Sequence, residues 1–179
     1  IYDEEASEKA YKLLIEKVRS NISVVEDFFE IKRKMLNLKS IAVYDTFAPI
    51  AIDLDYKFTY DEAINLIKKA LAPLGEDYIN LLDRAVKEKW IDVMPNENKD
   101  SGAFSWGCYG ATPVVLTNFD GNMQAVFTLA HELGHAMHSY YSNENQPIQT
   151  AGYVIFVAEV ASITNEMLLL NYLLKNAKN

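Results

Sequence analysis

A mainly helical fold with one small antiparallel β-hairpin is the expectation for this 179-residue chain. Two observations carry it. Apolar residues recur at three- and four-residue intervals along most of the sequence, as on helices with one buried face. Between residues 103 and 118 the period drops to two, just ahead of a further helical stretch.

Taken in order, residues 3–19 carry Ala6, Ala10, Leu13, Leu14 and Val18 at helical spacing, and residues 22–38 carry Val25, Phe28, Phe29, the Lys32 stem, Met35 and Leu36. Two helices follow, separated at Ser20-Asn21, with Asn21 the expected N-cap of the second. Tyr44-Asp45-Thr46-Phe47-Ala48-Pro49 reads as irregular or extended, since a residue before proline is pushed out of the helical region. A third helix starts at Thr59, where Glu62 three residues on completes a capping box, and runs to the Pro73-Leu74-Gly75 break. Glu76 to Lys89 forms a fourth, with Ile79, Leu82 and Val86 inward. Phe104, Trp106 and Cys108, then Val114, Leu116 and Asn118, alternate as two strands joined tightly through Tyr109-Gly110-Ala111-Thr112-Pro113. Asp120-Gly121-Asn122 turns the chain into a helix from Met123 to about Tyr141. After a polar loop, a final helix from about Gly152 to Lys175 is apolar on most faces.

Composition narrows the function. A formal charge of −8 with no Lys/Arg stripe argues against nucleic acid. No apolar run approaches the roughly 18 residues that span a bilayer, and the start lacks signal-peptide features. The single cysteine, Cys108, has no internal disulfide partner and fits a reducing, cytoplasmic setting. The chain opens without methionine and closes straight after an apolar helix, so a piece of a longer polypeptide is expected.

All three histidines fall in His131-Glu132-Leu133-Gly134-His135-Ala136-Met137-His138, which contains H-E-x-x-H. Positions four apart share a helix face, so His131 and His135 can reach one ion, with Glu132 beside it as a base. Catalytic zinc takes three protein ligands and leaves a fourth position for water. His138 lies roughly 10 Å along the axis from His131, too far to share the ion, and reads as a supporting or packing residue. The pattern H-E-x-x-H-x-x-G-x-x-H is excluded, because positions 138 and 141 hold His138 and Tyr141. Cys108 reads as a small core residue. A carboxylate remains. Glu159 sits in the apolar stretch Tyr153 to Ala161, where an unpaired charge is costly. Glu166, two turns later on the same face, competes; Glu159 is favoured as ligand and Glu166 as the group that holds an imidazole N–H. The bland alternative for Glu159 is a salt-bridged or solvated helix residue.

The helix from Phe127 to Tyr141, together with Glu159-Val160-Ala161-Ser162, resembles the thimet oligopeptidase and oligoendopeptidase F metallopeptidases. The oligoendopeptidase F branch is nearer, through Tyr44 to Pro49, Trp90-Ile91-Asp92-Val93 and Ser101-Gly102-Ala103-Phe104-Ser105. The resemblance covers nearly the whole chain. It implies a helical zincin-like metallopeptidase region, with the hairpin next to the H-E-x-x-H helix and one Zn2+ per chain. Residues 1–95 would be the helical part of the catalytic region and 96–179 its zinc-binding part. The implied activity is endopeptidase cleavage of short peptides, with Glu132 activating a zinc-bound water and Gly102, Ala103, Phe104 and Ser105 pairing with substrate backbone. A plain supporting strand is the competing reading for those four. Tyr109, Tyr140, Tyr141 and Tyr153 are available as oxyanion donors. Family members are several times longer and supply a histidine and tyrosines downstream. The alternative is a zinc-holding fragment that binds peptide or a partner, for instance the missing C-terminal part, without cleaving.

Overall fold

A computed structural model describes residues 7–50 and 56–177, which fall into two units, Ile1–Asp55 and Tyr56–Asn179. The first contains α1 (Glu8–Ser20), α2 (Ile22–Met35) and a 3-10 turn (Val43–Phe47). The Ser7 hydroxyl accepts from the Ala10 amide at 3.1 Å and caps α1. The expected start at residue 3 lies outside the described residues. Asn21 does occupy the position before α2, but its side chain does not cap that helix. Its amide instead donates to the Lys17 carbonyl at 2.8 Å, closing α1. α2 ends at Met35, short of the expected residue 38. The segment before Pro49 also departs from expectation, because Asp45 accepts from the Ala42 amide at 2.7 Å and winds Val43–Phe47 into a 3-10 turn. Only Ala48, directly before the proline, is extended.

The second unit runs α3 (Tyr60–Leu71), a 3-10 turn (Ala72–Leu74), α4 (Glu76–Lys87), β1 (Ile91–Asp92), β2 (Phe104–Trp106), β3 (Val114–Leu116), α5 (Met123–Asn145) and α6 (Ile155–Asn176). Thr59 and Glu62 form the expected capping box at α3, with Thr59 Oγ1 accepting from the Glu62 amide at 3.2 Å and Glu62 accepting from the Thr59 amide at 2.8 Å. Asn122 caps α5 by accepting from the Ala125 amide at 2.7 Å. α5 extends a turn beyond the expected Tyr141.

The hairpin is present and belongs to a three-stranded mixed sheet of order β1-β3-β2. β2 pairs antiparallel with β3 (Ser105 opposite Val115), and β1 pairs parallel with β3 (Ile91 opposite Val115). Two expectations fail here. The connection through residues 107–113 is a loop rather than a tight turn, and Cys108 lies on it, exposed rather than in the core.

α5 forms the axis of this unit. Val126, Leu129, Ala130, Leu133, Ala136 and Met137 are buried along it, and Ile67 and Leu71 of α3, Leu82 of α4, Val115 of β3 and Leu169 of α6 join the same core. Gly121 sets the approach to α5: its φ of +82° is open to glycine, and a Cβ there would meet the Phe58 carbonyl oxygen at 2.7 Å. Among the described residues no helix is long and apolar enough to cross a membrane.

Candidate metal centre

His131 and His135 lie one turn apart on α5, and both rings reach the face that α6 covers. Their Nε2 atoms stand 3.1 Å apart. Glu159, in the first turns of α6, brings Oε2 to 3.5 Å from His131 Nε2 and 3.8 Å from His135 Nε2. Three donor atoms therefore form a nearly equilateral triangle. Tetrahedral zinc ligands at a bond length near 2.0–2.2 Å stand roughly 3.3 Å apart, and a point about 2.0 Å from all three corners exists here. Two imidazoles and a carboxylate are also the donor chemistry zinc takes, whereas calcium and magnesium prefer all-oxygen shells. The residues fit the ion.

Glu166 stands behind His131, with Oε1 2.6 Å from Nδ1. A carboxylate accepting the Nδ1–H fixes the tautomer that leaves the Nε2 lone pair facing the triangle. Burial holds the His135 imidazole below its usual range, with His131 acting in the same sense and the Glu159 carboxylate, then a hydrogen bond to the Ala158 backbone, opposing it. The neutral, ligating form is thereby favoured.

Glu132 follows His131 on α5 and is almost fully buried. Burial pushes its carboxyl above the ordinary carboxylate range; His131 draws it down and Glu159 pushes it up. It opens on a cavity of about 410 Å³ lined also by Gly102, Ala103, Asn118 and Thr128. Gly102 and Ala103 thus share a cleft with Glu132. Asn118 donates to the Asp100 and Gly102 carbonyls, each at 2.9 Å, and fixes the entry to β2. β2 is an edge strand, and Phe104 and Trp106 present exposed rings while Ser105 faces inward.

His138 is not in the donor triangle. Its ring stacks on Tyr153 at 3.9 Å between centroids, and its Nδ1 is buried with no hydrogen-bond partner among the described residues. Burial lowers its pKa. The tyrosines are held by other partners: Tyr153 pairs with Ser139 at 2.5 Å, Tyr140 accepts from Arg84 at 2.9 Å, Tyr109 donates to the Gln146 carbonyl at 3.3 Å, and Tyr141 stacks on Tyr78.

Sequence reasoning missed Asn165 and Ser162. Asn165 is buried, donates to the Ala130 carbonyl and accepts from the Tyr78 hydroxyl, each at 3.0 Å, and so ties α4, α5 and α6 together. Ser162 is fully buried and donates to Glu159 Oε2 at 2.8 Å. Ser162 lies three positions after Glu159, on the same side of the helix, and that spacing was its one signal; Asn165, next to Glu166 in sequence, had none.

With helices, mixed sheet and a His-His-Glu triangle in place, the comparison with known proteins is direct. The chain belongs to peptidase family M3, whose model matches residues 1–179. It is oligoendopeptidase F-like: it is 41% identical over 172 residues to Oligopeptidase PepF of Bacillus subtilis, covering 96% of this chain and 26% of that protein. It is likewise 41% identical over 178 residues to an oligoendopeptidase F homolog of Borreliella burgdorferi, covering 98% of this chain and 30% of that one. A peptidase structure from Chlamydophila abortus superposes with a TM-score of 0.86 at 42% identity over 98% of this chain and 29% of that chain. The fold alone is shared with PZ peptidase A in its complex with inhibitor 2, with a TM-score of 0.77 at 18% identity, covering 94% of this chain and 31% of that chain. The chain thus spans between a quarter and a third of the length of these relatives.

Proposed function

We propose that this chain is the metal-bearing segment of a zinc endopeptidase that hydrolyses short peptides. The observation that carries the reading is the triangle of His131 Nε2, His135 Nε2 and Glu159 Oε2, with buried Glu132 at its side. Bound there, one zinc would lower the pKa of a water from about 15.7 towards 7 and polarise a scissile carbonyl. The chain's own groups do the rest. Glu132 takes the proton of the attacking water and returns it to the leaving amine, and its burial brings its proton affinity closer to working pH. Glu166 holds the His131 ring through Nδ1, and His138 supports α5 by packing on Tyr153.

The peptide would run along β2. Its outer edge is unpaired within the sheet, Gly102 and Ala103 just before it line the cavity that contains Glu132, and exposed Phe104 and Trp106 offer apolar contact. Extended peptides add to such edges through main-chain hydrogen bonds. Short peptides as substrates agree with the names of the relatives, Oligopeptidase PepF among them. A cytoplasmic setting belongs to the same proposal and rests on a lone cysteine. So does the division of labour between residues 1–95 and the zinc-binding part, 96–179.

A quenched peptide assayed with the complete polypeptide that carries this segment tests the reading. Hydrolysis that stops on chelation, returns with zinc and is absent in Glu132→Gln supports it. Zinc binding without cleavage in the complete polypeptide would leave only a peptide-docking role, and undiminished turnover in Glu132→Gln would remove Glu132 as the base.

A further inference from the structure

We infer that Ser162 and Gly134 are positioning residues for the third metal ligand: together they set where the Glu159 carboxylate stands relative to the two histidines. The inference rests on the zinc reading above. Glu159 Oε2, the oxygen closest to both imidazoles, accepts from Ser162 Oγ at 2.8 Å. Ser162 is fully buried, so its hydroxyl has no solvent water to turn to as a rival partner. The same hydroxyl lies 3.1 Å from the Glu159 carbonyl, the ordinary target of a serine within a helix. A hydroxyl has one proton, and the shorter, charge-assisted bond to the carboxylate takes it. Without that bond the Glu159 side chain, half exposed at the start of α6, would have several rotamers open to it.

Gly134 sets the other coordinate, the separation of the two helices. A Cβ at Gly134 would sit 2.7 Å from Ser162 Cα, 2.9 Å from the Ala161 carbonyl oxygen and 3.0 Å from the Ser162 amide nitrogen. All three are backbone atoms, so no side chain can swing aside. Restoring ordinary contact distance would move α6 outward by about 1 Å, whereas a metal site tolerates ligand distances within about 0.2 Å. A glycine inside a helix is disfavoured against alanine, and the close approach of α6 accounts for its place between His131 and His135. Gly134 sits on α5 between the two histidines, and Ser162 on α6 one turn after Glu159; the point of closest approach is thus next to all three donors.

The test compares zinc affinity, by competition with a chromophoric chelator, across variants of the complete polypeptide, with the unfolding midpoint of each zinc-free protein as the second readout. Ser162→Ala removes the hydroxyl and adds no bulk. It is expected to weaken zinc binding about 10- to 100-fold while leaving the zinc-free midpoint near the parent value. Gly134→Ala is expected to weaken zinc binding at least as much. Thr164→Ala is the control, since Thr164 donates to the Val160 carbonyl, at 2.5 Å, the ordinary bond within a helix, and faces solvent; its zinc affinity should match the parent. His131→Ala separates the two levels of the claim. If the parent binds zinc and His131→Ala does not, yet Ser162→Ala binds as the parent does, the positioning role is wrong and the metal site stands. If the parent and His131→Ala bind alike, both fall.

Discussion

At the scale of single residues, the proposed function divides the site into donors, their holders and one proton carrier, and each makes a different prediction. Glu159→Ala removes a donor, whereas Glu166→Gln only frees the His131 ring, so zinc dissociation measured by chelator competition should be far faster for the first. Glu166→Gln should cost about 10- to 100-fold in affinity. Equal losses, or the reverse order, would exchange their roles. Much of this was legible. His131, Glu132 and His135 announce themselves by spacing, and Glu159 by being an acid in an apolar run. Ser162 and Asn165 were not legible in the same way, because a serine or asparagine inside a helix says nothing of the atom opposite it until the α5 to α6 crossing is known. His138 shows the converse: helix geometry removed it from the metal, but its stacking on Tyr153 depends on how the chain returns after α5.

At the scale of elements, local chemistry and burial make separable contributions. The capping box at Thr59 satisfies two amides at the start of α3, and Thr59→Ala should cost about 1 kcal/mol in denaturant unfolding. Glu62 adds a pH dependence. Its hydrogen bond from the Thr59 amide, helped by the Thr59 hydroxyl, holds its pKa below the usual value of 4.5. A depressed carboxyl stabilises the fold above its unfolded pKa and loses that contribution as pH falls through the lower folded value. Glu62→Gln should therefore flatten the stability profile just below pH 4.5, and an unchanged acid limb would contradict it. Leu169, fully buried on α6 against α5, is a packing residue, and Leu169→Ala should cost roughly 2–5 kcal/mol in the same measurement. The helices and the box were readable because both depend on residues three or four apart. β1 was not: it is a two-residue strand whose partner, β3, lies more than twenty positions away. Phe104 and Trp106 gave the correct period for β2 but face outward, because the sheet places Ser105 towards α5.

At the scale of the molecule, the fold brings together what the sequence separates: His131 and His135 on α5, Glu159, Ser162 and Glu166 on α6, and an edge strand whose approach lines the same cavity as Glu132. Metal and fold should then be thermodynamically linked. Zinc at about a hundred times its dissociation constant should stabilise the complete polypeptide by about 2.7 kcal/mol, seen as a calorimetric shift that chelation reverses and that His131→Ala lacks. The acidic balance of the chain was readable from composition and the class of fold from the spacing of apolar residues, because both are sums over many residues. The central claim is that His131, His135 and Glu159 hold one zinc, and anomalous diffraction at the zinc edge from zinc-loaded crystals of the complete polypeptide tests it most directly. One peak is predicted, about 2.0–2.2 Å from His131 Nε2, His135 Nε2 and a Glu159 carboxylate oxygen. No peak within that triangle, or a peak ligated by Glu166 in place of Glu159, would contradict it.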